Sequence, residues 1–132
     1  MNEPIAEFQD ETQAYECLKE WQSRLFLDDW VIKINIKSLS ELGKDGSGKN
    51  NYEATLRSSI IDLYKSDGAK IMCHELTLVH ELLHLKFIFS DCVKNTLEGN
   101  FFRMQEHMLI EQLAKSFIMA KYNLMFEWFK SV

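Results

Sequence analysis

The chain has little of what marks several familiar protein classes. Its 132 residues include one proline, five glycines and three cysteines. Cys17, Cys73 and Cys92 are odd in number, far apart and without a C-x-x-C pair. That excludes a zinc ribbon and a disulfide framework and leaves free thiols. No window approaches 18 uninterrupted apolar residues, so no membrane-spanning helix is expected. Gly43, Gly46 and Gly48 belong to no G-x-x-x-x-G-K-S/T phosphate loop. The first seven residues are acidic and lack the basic-then-apolar order of a secretory signal, so a cytoplasmic protein is expected.

Basic surface is scarce as well. The net charge is −5, and residues 1–29 carry eight carboxylates against Lys19 and Arg24. This balance argues against nucleic-acid binding, which needs a basic patch or stripe. A solvated helix face explains it, and the same segment is a candidate cover for a cleft. The content of 46% hydrophobic and 27% charged residues is that of an ordinary globular protein. At 15.6 kDa, one domain over residues 1–132 is expected.

Against this plain background one stretch stands out. Residues 80–84 read His80-Glu81-Leu82-Leu83-His84, an H-E-x-x-H motif inside an apolar helical pattern. At about 3.6 residues per turn the two imidazoles project from one helix face, one turn apart. Neutral imidazoles so placed can hold a tetrahedral zinc ion. Glu81, beside the first ligand, is placed to take a proton from a water on that metal.

The surrounding pattern predicts the fold. Tyr15, Leu18, Trp21, Leu25 and Phe26 fall at helical spacing over residues 10–27, with Asp10 or Thr12 as N-cap. Residues 30–37 alternate and are rich in β-branched side chains, which predicts a strand. A polar loop is expected over 41–51, then strands over 52–57 and 59–64 joined by a bend near Ser58. A turn at 66–68, the motif helix over 70–89, a polar connection over 90–100 and a last helix over 101–129 complete the order. Strands followed by helices indicate α+β, here a small mixed or antiparallel three-stranded sheet covered by helices.

A catalytic zinc usually has three protein ligands and a water. No glycine turn or third histidine follows His84 in the metzincin pattern, and no H-x-x-E-H occurs. The last helix offers Glu106, His107 and Glu111. At about 100° per residue, His107 and Glu111 lie about 40° apart, whereas Glu106 is about 140° from Glu111. Glu111 is the preferred ligand because a carboxylate among apolar neighbours needs a compensating partner. His107 is the alternative, and whichever does not ligate is placed to hydrogen-bond a ligand. A group that stabilises the transition state would come from Tyr52, Tyr64, His74 or Arg103. Tyr122 lies about 16 Å along the axis from Glu111 and suits core or rim.

The Trp-x-Ile-x-Ile strand, the Ile-Ile-x-Leu strand, the helix with His80-Glu81-Leu82-Leu83-His84 and the segment Glu111-Gln112-Leu113-Ala114 follow one another in that order. Over residues 30 to 120 this resembles the small gluzincin-type zinc peptidases, the minigluzincins and the IrrE-like peptidases of bacteria and their phages. The resemblance implies a zincin-like fold, a zinc held by His80, His84 and Glu111, and Glu81 as the base in peptide hydrolysis. It also implies a substrate-binding edge strand at Tyr52, Glu53, Ala54 and Thr55, to which a peptide or protein substrate adds as a further strand. Many gluzincins carry an aspartate four residues after the ligand glutamate, where this chain has Lys115. The rival expectation is a non-catalytic zinc-binding interaction module of a phage or mobile element. Aromatic and methionine residues from Tyr122 onward suggest a homodimer or protein-partner contact.

Overall fold

The computed structural model describes residues 3–38, 48–65, 73–88 and 95–131. Residues 41–47 of the expected loop, the turn at 66–68, the first residues of the motif helix and residues 90–94 of the expected connection lie outside them. The architecture is α+β. Helix α1 (Glu11–Arg24) is followed by strands β1 (Val31–Lys37), β2 (Gly48–Glu53) and β3 (Ser58–Tyr64), then α2 (His74–Lys86) and α3 (Leu97–Tyr122). A short 3-10 helix spans Phe126–Ser131.

Helix α1 starts where Asp10 accepts a hydrogen bond from the Gln13 N–H at 2.8 Å. It stops three residues earlier than periodicity suggests. Phe26 adopts φ 58°, and the Leu27 N–H reaches back to the Gln22 carbonyl at 2.7 Å. This is the geometry that closes a helix through a left-handed residue. Phe26 is thereby turned to solvent and Leu27 into the core.

The sheet is mixed, in the order β1-β3-β2, with β1 parallel and β2 antiparallel to β3. Register pairs Gly48 with Leu63 and Glu53 with Ser58. The first hairpin strand therefore lies four residues before its expected place. Residues 54–57 are the turn, closed by the Arg57 N–H on the Ala54 carbonyl and by Arg57 at φ 50°. The polar string Gly-Lys-Asn-Asn reads as loop because β2 is an edge strand whose side chains find polar partners. The inner face of the sheet, with Ile32, Ile34, Ile61 and Leu63, packs on Leu18 and Trp21 of α1 and Leu78 and Leu82 of α2. Ile110, Ala114 and Ile118 of α3 complete the core.

The last helix also ends early. Asn123 takes the left-handed conformation (φ 54°, ψ 48°) and the Leu124 N–H bonds the Met119 carbonyl. Beyond it Phe129 enters the core, while Met125 and Phe126 are exposed. Further exposed apolar side chains, Phe101, Met104 and Met108, lie on α3 itself, upstream of the tail where such surface was expected.

One buried ion pair joins the elements. Glu75, at 0% exposure, accepts hydrogen bonds from the Ile5 N–H (2.9 Å), Trp21 Nε1 (2.8 Å), Lys121 Nζ (2.8 Å) and the Tyr122 hydroxyl (2.5 Å). Lys121 also pairs with Glu20 at 2.8 Å. Its neighbour His74 is equally committed, accepting from the Phe8 N–H at Nδ1 (3.0 Å) and facing the Tyr64 carbonyl with Nε2 (3.1 Å). The carbonyls of Ile5 and Ala6 accept from the Glu75 and His74 N–H groups, so the N-terminal arm caps α2. None of the described residues of 1–29 lines the histidine cleft described below.

Burial alone would raise the Glu75 pKa, but the donors from Lys121, Tyr122, Ile5 and Trp21 together hold it below the usual carboxylate range. A carboxyl with a depressed folded-state pKa stabilises the fold above its unfolded value near 4.5, and that stability disappears as pH falls through the folded value. We expect Glu75→Gln to cost on the order of 3 kcal/mol at pH 7, because it removes the buried partner of Lys121 and leaves that ammonium its surface pair with Glu20. The difference from wild type should shrink below about pH 4 in denaturant titrations. Equal stability at pH 7 would contradict this account.

Candidate metal centre

Helix α2 is buried along most of its length, because one side meets the sheet and the other meets α3. The polar residues it carries are therefore held in place. His80 and His84, one turn apart, are half-buried, and their Nε2 atoms stand 3.2 Å apart. Two tetrahedral zinc ligands at 2.0–2.1 Å stand about 3.3 Å from each other, so this pair is already spaced for one ion.

The third donor comes from α3. Contacts pair Glu75 with Lys121, His80 with Glu111 and His80 and His84 with His107, so α2 and α3 run antiparallel. This places the His107 ring 5.2 Å from that of His80 and 6.1 Å from that of His84, centroid to centroid. One nitrogen from each of the three imidazoles lies within 4.8 Å of the others. Among the described residues this is the group of histidine, cysteine and acidic side chains gathered closely enough to hold a metal ion.

Glu111 sits at the margin of the trio. Its Oε1 is 3.7 Å from Nδ1 of His80 and 3.8 Å from Nε2 of His107. It thus faces the His80 ring nitrogen opposite the one that faces His84. Both candidates of the last helix are at the site, with His107 inside the donor cluster and Glu111 beside it. Glu106 points elsewhere, into an apolar pocket with Phe87 and Phe102.

Glu81 completes the cleft, 8% exposed. Strand β2 crosses close above it. A Cβ built at Gly48 would meet Thr77 Cγ2 at 2.7 Å, the Asp62 carbonyl oxygen at 3.1 Å and Glu81 Oε2 at 3.6 Å. Only glycine lets the strand approach this near. Asn50 fixes the approach by donating from Nδ2 to the Glu81 main-chain carbonyl at 2.8 Å and accepting from Ser59 Oγ at 2.5 Å. The resulting cleft, about 340 Å³, runs from Gly48 to Glu111.

Electrostatics suit a cation. Burial first, and then the neighbouring His84 and His107, push the His80 pKa down to about 4, against a smaller opposing pull from Glu111. Burial and His107 lower His84 likewise. Both rings are therefore neutral at pH 7, the form that ligates metals. Burial raises Glu81 to about 7, within reach of a proton-transfer role near neutrality.

The remaining sequence candidates fall elsewhere. Tyr52 and Glu53 end β2, with the Tyr52 ring edge-on to Trp30 at 6.5 Å, while Ala54 and Thr55 lie in the turn. The cleft meets β2 at its other end, at Gly48, so the strand edge beside the site is 48–51. His74 and Tyr122 are absorbed by the fold, Tyr64 is buried, and Arg103 donates to Asn100 Oδ1 at 3.1 Å. Gly48 and Asn50 escape the sequence reading because polar residues and a glycine signal a loop.

No protein-family model, no curated protein and no solved structure matches this chain. No helix among the described residues is long and apolar enough to cross a membrane. The geometry predicts a ranking of metal loss, readable by elemental analysis and competition titration. His107→Ala, which removes a donor, should weaken zinc binding more than a hundredfold. Glu111→Ala, which removes a partner of the ligands, should weaken it about 10–100-fold. The reverse order would make Glu111 the ligand.

Proposed function

We propose that this protein is a zinc-dependent peptidase of zincin-like fold, acting in the cytoplasm. His80, His84 and His107 hold the metal, Glu81 is the general base and Glu111 orients His80. The observation that carries the reading is the clustering of three imidazoles beside a buried, proton-ready carboxylate at the foot of an edge strand. Three imidazole nitrogen donors fit zinc and leave a fourth position open. Zinc bound there supplies Lewis acidity toward a carbonyl and acidifies a water.

Each of the chain's own residues has a distinct task. Glu81 accepts a proton from the attacking water and returns it to the departing amine, a cycle that a carboxyl with a pKa near 7 can run in both directions. Its burial keeps it from being solvated in the charged form, and its place beneath Gly48 brings it to the strand edge where an extended peptide would lie. Asn50 holds strand and base at constant separation. Glu111, with Oε1 3.7 Å from Nδ1 of His80, favours the proton on that nitrogen and so leaves Nε2 as the lone-pair donor.

The same Glu111 carboxylate supports a second reading, a closed four-ligand site that serves an interaction module. Its 3.7 and 3.8 Å spacing to two of the imidazoles brings it near enough to enter the coordination sphere. Cleavage separates the two readings. Zinc-loaded wild type incubated with a proteome-derived peptide library should generate new termini detectable by mass spectrometry. Glu81→Gln should keep its zinc and lose 10²–10⁴-fold in rate. A zinc-replete wild type that cleaves nothing under these conditions would favour the closed site.

A further inference from the structure

A groove of about 500 Å³ leaves the metal cleft along α3. It shares His107 and Glu111 with the cleft and continues past Met108, Lys115 and Met119 to Phe126 of the 3-10 helix. These positions lie on one stripe of the helix, and the early stop at Asn123 folds the tail back to form the far wall. Met108 and Phe126 are exposed, and Met119 and Lys115 are half-buried. The lining is thus polar where it meets the cleft, at His107 and Glu111, and apolar at the far end, with Lys115 between.

Lys115 is unusual among the charges near the site. Its Nζ lies 5.8 Å from the centroid of the Phe129 ring, a cation–π contact, and among the described residues no carboxylate is in ion-pair contact with it. Glu111, one turn before it, is engaged by the histidines instead. A half-buried ammonium held against an aromatic face, on the wall of an apolar groove, is set to receive an anion.

From this we infer that the α3 groove is a substrate subsite for a peptide segment carrying an apolar side chain next to an acidic one. The acidic side chain pairs with Lys115, and Met119 and Phe126 beyond it receive the apolar one. The inference rests on the peptidase reading and adds a substrate class to it. Lys115 stands about 12 Å along the axis from His107, a span of roughly three to four extended residues. The groove runs one further turn beyond Lys115 to Met119 and Phe126, so the chain it holds continues past the anion. That favours an internal aspartate or glutamate over a terminal carboxylate.

Binding tests this separately from catalysis. The protein as purified, with its zinc measured on the same sample, is labelled with ¹³C at the methionine methyl groups. It is titrated with N-acetyl-Phe-Glu-amide, its neutral glutamine counterpart, and N-acetyl-Phe-Gln bearing a free carboxyl terminus. The glutamate peptide should shift the Met119 signal saturably and bind at least fivefold more tightly than either other peptide. Lys115→Gln should abolish the preference, and Lys115→Arg should retain it. Equal binding of glutamate and glutamine peptides, tighter binding of the free-terminus peptide, a preference surviving Lys115→Gln, or an unmoved Met119 signal would each overturn the inference. A carboxylate bound to the metal alone would survive Lys115→Gln, so failure here is distinguishable from failure of the zinc site.

Discussion

The buried Glu75–Lys121 pair is the constraint on which the site depends. A carboxylate at 0% exposure costs several kcal/mol unless every lone pair is engaged, and Glu75 satisfies that demand with donors from the N-terminal arm, α1 and α3. Hydrophobic packing would let α2 and α3 slide by a turn with modest loss. A four-donor cage tolerates no such slip. With Lys121 and Tyr122 fixed against Glu75, the antiparallel run of α2 and α3 carries Glu111 and His107 back to His80 and His84. The candidate metal centre is thus registered from a point some residues away.

Helix α2 carries the sequence His-Glu twice, at 74–75 and at 80–81. Six residues at about 100° each put the pairs about 240° apart, on different faces. The two pairs meet opposite fates. His74 and Glu75 are saturated with hydrogen bonds and belong to the scaffold, whereas His80 and Glu81 face a cleft with pKa values displaced by burial. Glu75, lowered, is a fixed charge, and Glu81, raised to about 7, is a mobile proton site. Environment alone gives the two glutamates opposite pKa shifts.

Much of this was legible in the chain. The order of helix, strands and helices follows from periodicity, and the H-E-x-x-H helix and the shared face of His107 and Glu111 follow from helical spacing. What escaped has physical reasons. Strand β2 is an edge strand whose polar residues bond to helix and sheet, so it carries no alternation signal. The stops at Phe26 and Asn123 require left-handed residues where the apolar pattern runs on. How His107 and Glu111 share the site depends on the offset between two helices, which a wheel drawn for one helix does not contain. Nothing in the sequence marks Glu75, because its partners are 46 to 70 residues away.

The central claim is that three histidines, one of them from α3, form an open metal site. X-ray absorption spectroscopy at the zinc edge tests it most directly on the zinc-loaded protein. The account predicts three imidazoles by their outer-shell scattering, with one lighter oxygen ligand at roughly 2.0 Å that exchanges with solvent. Two imidazoles with a protein carboxylate, or any sulfur ligand, would contradict it.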